Sequence, residues 1–214
     1  MDTDDAASNV ATVQLFVRDV NAAPIANNDV VSVDEDDTII ITSLAANDTD
    51  ADGNVVANTL TIQAAPTHGS ASVDANGIVT YTPHANFYGA DSFTYRIRDN
   101  SNALSSIATV SITVNSINDP PAAYADSIFT PESTAVTFNV FQAHQGLADT
   151  DIDNALANAF VEPTSGPANG TLENLGAGEF RYTPNSGFHG LDSFQYRAVD
   201  ADSAKAIPLS FRYL

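Results

Sequence analysis

The sequence predicts an all-β protein: two tandem Greek-key β-sandwiches of about seven strands each, set end to end. Three observations carry that expectation. The chain repeats itself almost completely. Its short segments alternate apolar and polar residues with a period of two. Turn residues interrupt those segments at close intervals.

The repeat comes first. YTPHANFYGADSFTYRIRD, from Tyr81 to Asp99, returns as YTPNSGFHGLDSFQYRAVD, from Tyr182 to Asp200, a shift of 101 residues. The same shift carries Asp48–Asn54 (DTDADGN) onto Asp149–Ala155 (DTDIDNA). Upstream the shift is 97, taking Pro24 to Pro121, Asp29 to Asp126 and Glu35 to Glu132, so an insertion in Gln142–Asp149 separates the two registers. A partial third copy opens the chain, since Ala11–Pro24 matches Ala108–Pro121. The expected organisation is therefore residues 1–21 as the last strand of a preceding repeat, 22–118 as repeat 1 and 119–214 as repeat 2.

Each repeat reads as strands. Phe93, Tyr95 and Ile97 alternate with Thr94, Arg96 and Arg98; Val110, Ile112 and Val114 alternate with polar neighbours; Val79 with Tyr81 and Phe180 with Tyr182 do the same. Turns are expected at His68-Gly69, Asn76-Gly77, Tyr88-Gly89 and Gly176 to Gly178. Strand phase assigns Phe93, Tyr95, Phe194 and Tyr196 to the core. Phe87, Tyr88 and Phe188 are the aromatics outside that phase.

Composition narrows the function. The 214 residues suit two domains of about 100 each, and 43% hydrophobic residues suffice for packed cores. Acidic residues number 27 against seven basic, with Lys205 the only lysine and a net charge of -20. Such a surface does not attract nucleic acid or anionic lipid, which need clustered Lys and Arg. No apolar run is long enough to insert in a membrane, and the N-terminus does not read as a signal peptide. Cysteine is absent, which excludes disulfides and zinc–thiolate sites. An extracellular domain without disulfides uses another staple, commonly Ca2+.

The candidate metal ligands are carboxylates. Asp48, Asp50 and Asp52, followed by Gly53, place three hard oxygen donors at alternate positions in a tight loop, with Gly53 expected to permit the turn. Repeat 2 keeps Asp149, Asp151 and Asp153 and has Asn154 in place of the glycine. The loop is not an EF-hand, because loop position twelve, which requires a bidentate Glu, is Thr59. The plain alternative is a solvated Asx-rich turn; recurrence at the matching place favours ligands. Glu35, Asp91 and Asp99 also recur, as Glu132, Asp192 and Asp200, and Asn118 and Asp119 lie in the linker.

The pattern E…DxDADG…YTPxxxFxGxDSFTY…D…ATVxITVxxINDPP resembles the bacterial cadherin-like repeats of large, type I-secreted RTX-type surface adhesins. The resemblance covers nearly the whole chain, and its YTP…F.G.DSF.Y block is the specific part. It implies cadherin/immunoglobulin-like sandwiches with Ca2+ at the junction of successive repeats. Carried over by position, it assigns Glu35, Asp91, Asn118, Asp119, Asp149, Asp151 and Asp200 to one junction. Asp48, Asp50, Asp52, Asp99 and Asp153 complete the acidic set. The leading linker, Asn21-Ala22, lacks the Asp, which leaves a full site beside Asp48, Asp50 and Asp99 open.

The resemblance implies an extracellular, calcium-stiffened spacer of an adhesin at the bacterial surface, serving cell adhesion or biofilm attachment. Its partners are neighbouring repeats of the same chain, with any cell-surface glycan or protein met by distal domains. The alternative is a carbohydrate- or protein-binding sandwich module. An enzyme is not expected: no cysteine nucleophile, G-x-S-x-G or P-loop is present. A glycosidase carboxylate pair stays open on spacing alone, but the acids are better accounted for as ligands.

Overall fold

The computed structural model describes residues 10–153, 156, 160–202 and 209–213. The chain divides into two compact units at Asn115–Ser116, each an all-β sandwich of two sheets. In the first unit the strands are β1 (Asp29–Asp34), β2 (Ile39–Ile41), β3 (Val55–Ala64), β4 (Gly69–Val73), β5 (Val79–Pro83), β6 (Gly89–Asp99) and β7 (Ala108–Asn115). One sheet has the order β1-β7-β6-β3 and the other β2-β5-β4. Every pairing is antiparallel except β1 with β7. A first strand crossing to run parallel with the last is a Greek-key immunoglobulin arrangement.

The second unit repeats this scheme with β8 (Ser127–Ile128), β9 (Val136–Asn139), β10 (Phe160–Ser165), β11 (Gly170–Gly176), β12 (Glu179–Pro184), β13 (Ser193–Val199) and β14 (Leu209–Tyr213). Its sheets are β8-β14-β13-β10 and β9-β12-β11. The seven strands expected per repeat are thus present in both. Among the described residues of the first unit the one helix is a 3-10 turn, Leu44–Ala46.

Alternation builds the cores. Val79 and Tyr81 of β5, Phe93, Tyr95 and Ile97 of β6, and Val110, Ile112 and Val114 of β7 all face inward. Their polar neighbours face out, as a period-two strand requires. In the second unit Phe138, Phe180 and Phe194 pack ring to ring, with Phe180 and Phe194 centroids 5.4 Å apart. Burying each such ring contributes about 1.5–3 kcal/mol. The expected turn at Asn76-Gly77 forms around Asp74, whose Oδ1 accepts from the N–H of Asn76 and Ile78. Gly77 sits at φ +83 there, a region side chains disfavour.

The opening segment, matched to β7 in sequence, differs from it in structure. Val13, Leu15 and Val17 are 78%, 87% and 95% exposed, whereas their counterparts Val110, Ile112 and Val114 are buried. Residues 10–20 form no strand; the rest of that expectation, residues 1–9, lies outside the described residues.

Candidate functional site

The recurring acids collect mainly at one end of each unit, where the chain enters and the penultimate strand finishes. In the first unit Val55 of β3 pairs with Asp99 of β6, which lays the Asp48–Asn54 loop over the end of β6. A two-way main-chain bridge between Ile25 and Thr49 pins that loop. Asn21 Nδ2 donates to Asp99 Oδ2 at 2.7 Å, and the N–H groups of Ser101 and Ala103 donate to Oδ1. The Asn21 amide, with these main-chain donors, holds the Asp99 carboxyl below the usual carboxylate range. The Ala22 N–H donates to Asp52 Oδ2 at 2.9 Å.

Asp50 folds its own loop. Its Oδ1 accepts from the N–H of Asp52 and Gly53, while its Oδ2 is buried with no hydrogen-bond partner. Gly53 is needed for room rather than for turning. Its φ is outside the left-handed region, but a Cβ there would stand 2.6 Å from Asn100 Oδ1 and 3.0 Å from Asp50 Oδ2. The turn expected of this glycine is not what requires it; close approach of two side-chain oxygens is the constraint. Thr59, the position that rules out an EF-hand, lies within β3 and bonds the strand's own backbone.

The second unit reproduces the arrangement. Asn118 Nδ2 donates to Asp200 Oδ2 at 2.7 Å, the Asp119 N–H donates to Asp153 Oδ2 at 2.6 Å, and the Asp153 N–H donates to Asp151 Oδ1. Ala122 and Thr150 form the matching bridge. Ala22 and Asp119 make the same contact through the main chain, so the missing linker Asp of the first repeat does not disturb the loop.

Asp48 and Asp149 behave differently from the pairs that follow them. Both turn into the sandwich, toward Tyr95 and Tyr196. Tyr95 Oη lies 3.1 and 3.2 Å from the two Asp48 oxygens and 3.2 Å from Asp29 Oδ2. Tyr196 donates to Asp149 Oδ2 at 2.8 Å. Burial pushes the Asp149 carboxyl up to about 6, helped by the charge of Asp126. Burial likewise raises Asp48, Asp126 and Asp29, the last also through Asp48. The alternating D-x-D-x-D spacing therefore joins two functions: one inward acid, then two at the loop surface. Asp29 and Asp126 were visible only as recurring acids, without a role.

Glu35 and Asp91 stand at the opposite end of the first unit. Glu35 is buried where β1 and β7 finish, its N–H bonded to the Asn115 carbonyl. Asp91 opens β6 and accepts four hydrogen bonds, from the N–H of Thr67, His68 and Ser92 and the hydroxyl of Tyr81. Burial works upward on it, but these donors outweigh burial and leave the carboxyl below its ordinary value. Asp192 repeats the set with Ala168, Asn169, Ser193 and Tyr182. Two donors on each oxygen account for these acids as fasteners of the preceding turn.

The first unit thus brings Asp50, Asp52 and Asp99 together with Asn21. The second brings Asp151, Asp153 and Asp200 together with Asn118 and Asp119. Among the described residues, no three Asp, Glu or His side chains gather tightly enough to hold a metal ion on their own.

Two tandem immunoglobulin-like sandwiches with a repeated acidic entry loop define the class of protein. The family of bacterial Ig domains matches residues 21–113 and 118–208, and the chain belongs to that family. No curated protein matches it. Among solved structures it is similar to an endo-fucoidan hydrolase of glycoside hydrolase family 107, at 16% identity over 89% of this chain, with a TM-score of 0.36. The chain spans only 28% of that hydrolase's length. It is similar to the D00-D0 domain of intimin at 16% identity, covering 88% of this chain and 98% of that one, with a TM-score of 0.34. Drosophila N-cadherin EC1-3 gives 15% identity, 88% and 64% coverage and a TM-score of 0.32. Likenesses this distant carry no argument about activity. No helix among the described residues is long and apolar enough to cross a membrane.

Proposed function

We propose that these two domains are calcium-stiffened spacer repeats of a large extracellular bacterial adhesin, without catalytic activity. The observation that carries the reading is the constellation built twice at the entry ends. A linker Asn meets the acid at the end of the penultimate strand, a linker N–H meets the last acid of the loop, and the middle acid folds the loop. The buried, unpartnered Asp50 Oδ2 is a donor-poor oxygen of the kind a cation satisfies. Turning the Asn21 and Asn118 amides over would present oxygen to an ion beside Asp99 and Asp200.

Because the linker residues are members of the cluster, an ion bound there fixes the segment leading in from the preceding repeat. Sites of the extracellular class, with Kd of about 10^-4 to 10^-3 M, are filled by millimolar Ca2+. The ligand set we propose is Asp50, Asp52 and Asp99 in one repeat and Asn118, Asp119, Asp151, Asp153 and Asp200 in the other. Asp91 is left out because its four lone-pair positions are already used.

The test is a calorimetric Ca2+ titration of the whole chain, with Asp119→Ala and Asp151→Asn beside it. The reading expects binding that weakens in Asp151→Asn while both sandwiches stay folded. Heat-silent titration of the wild type would remove it.

A further inference from the structure

Beneath each entry loop, hydrogen-bond acceptors outnumber donors. In the first repeat Tyr95 Oη has one proton to give. Around it, within 3.4 Å, lie the carbonyls of Asn27 and Leu44, Asp29 Oδ2 and both oxygens of Asp48. The second repeat is more enclosed. Asp126 and Asp149 are only 2% and 6% exposed. Asp126 Oδ1 accepts from the His144 N–H at 2.9 Å, while its Oδ2 is buried without a hydrogen-bond partner. Asp126 occupies the position of Asp29, whose Oδ2 lies 3.2 Å from the tyrosine hydroxyl that Asp48 also meets in the first repeat. Asp149 takes the Tyr124 N–H on Oδ1 and the Tyr196 hydroxyl on Oδ2. The carbonyls of Tyr124 and Val140 approach Tyr196 Oη to 3.2 and 3.5 Å.

The inserted segment of the second repeat supplies the enclosure. It brings in His144, and Gly146, where a Cβ would stand 2.6 Å from the Ala125 carbonyl and 3.1 Å from Asp126 Oδ1. In the first repeat the corresponding Asp29 is less buried, and the Asn47 amide serves its Oδ1 at 3.1 Å.

We propose that Asp126 and Asp149, with the carbonyls of Tyr124 and Val140, form an interior binding site for a divalent cation of the Ca2+ class, separate from the loop cluster and adjoining Tyr196. Asp126 Oδ2 is a buried oxygen left without a donor, and Tyr196 Oη is ringed by acceptors, an arrangement that a bound cation would satisfy. Carboxylate and carbonyl oxygens alone make a hard donor set, and a mixed, irregular one suits Ca2+ better than Mg2+. The Asp29, Asp48 and Tyr95 cluster is the weaker counterpart.

The test uses Tb3+ and Ca2+ with the full chain, which contains no tryptophan to obscure tyrosine. Tyrosine-sensitised Tb3+ emission should appear, be displaced by Ca2+, and drop sharply in Tyr196→Phe and in Asp126→Asn. Calorimetry should find one ion fewer in Asp126→Asn than in the wild type. Metal-free Asp126→Asn should melt higher than the metal-free wild type, since an amide replaces a repelling charge, and should gain less from Ca2+. A cooperative melt of each variant confirms that it is folded. Unchanged emission and stoichiometry in both variants would overturn the site. So would ion loss in Asp151→Asn alone, which places the ion only in the loop, or a stabilised Asp126→Asn beside a wild type that binds no ion, which makes the compensating charge a proton.

Discussion

Asn118 donates its side-chain amide to Asp200 across 2.7 Å, tying the linker to the residue that follows β13. Asn21 does the same to Asp99 in the first repeat. Asn118→Ala should cost about 1 kcal/mol of the second unit's stability, the usual net worth of such a bond, or somewhat more because the acceptor is charged. Urea unfolding followed by tyrosine fluorescence measures it. Calcium affinity should fall in the same variant, since the linker loses its fixed position.

The four-donor carboxylates are expected to dominate acid stability. Asp192 sits below its ordinary range: burial pushes it up, but the N–H groups of Ala168, Asn169 and Ser193 and the Tyr182 hydroxyl outweigh burial. A group with a depressed folded pKa adds stability above its unfolded value of about 3.9, and this is lost as pH falls through the folded value. Stability should therefore decline below about pH 4 through Asp91 and Asp192. Asp192→Asn should cost about 2–3 kcal/mol, because an amide nitrogen then faces donors, and should flatten the acid limb of a pH–stability curve.

Strand number, turns and core positions were legible because a sheet packed on one face imposes a period of two, and a repeat states it twice. Phe93, Tyr95, Phe194 and Tyr196 all fall in the core as that period requires. The division of labour within Asp48, Asp50 and Asp52 was not legible. Spacing gives positions along a loop, whereas direction is set by the Ile25–Thr49 bridge and by a tyrosine hydroxyl distant in sequence. Gly53 misled for a related reason: its need for space comes from Asn100, across the β6 end. The choice of Tyr over Phe at positions 95 and 196 was the available signal for a polar group beneath the loop.

The exposed stripe of Val13, Leu15 and Val17 should make the chain self-associate by strand addition, as unpaired apolar strands do. Sedimentation velocity over a concentration series should show dimers that vanish in the Val13→Asp, Leu15→Asp double variant. Dimers that persist would place the contact elsewhere.

Calcium dependence is the central claim, and thermal melting of the whole chain in millimolar Ca2+ and in EDTA tests it most directly. Binding confined to the folded form stabilises by RT ln(1 + [L]/Kd), about 1.4 kcal/mol per site when millimolar Ca2+ is ten times a Kd of about 10^-4 M. For domains of this size each kcal/mol shifts the midpoint by about 4–8 °C. The midpoint should be higher by about 6–11 °C in Ca2+, with Mg2+ a poor substitute. Superimposable curves in Ca2+ and EDTA would contradict it.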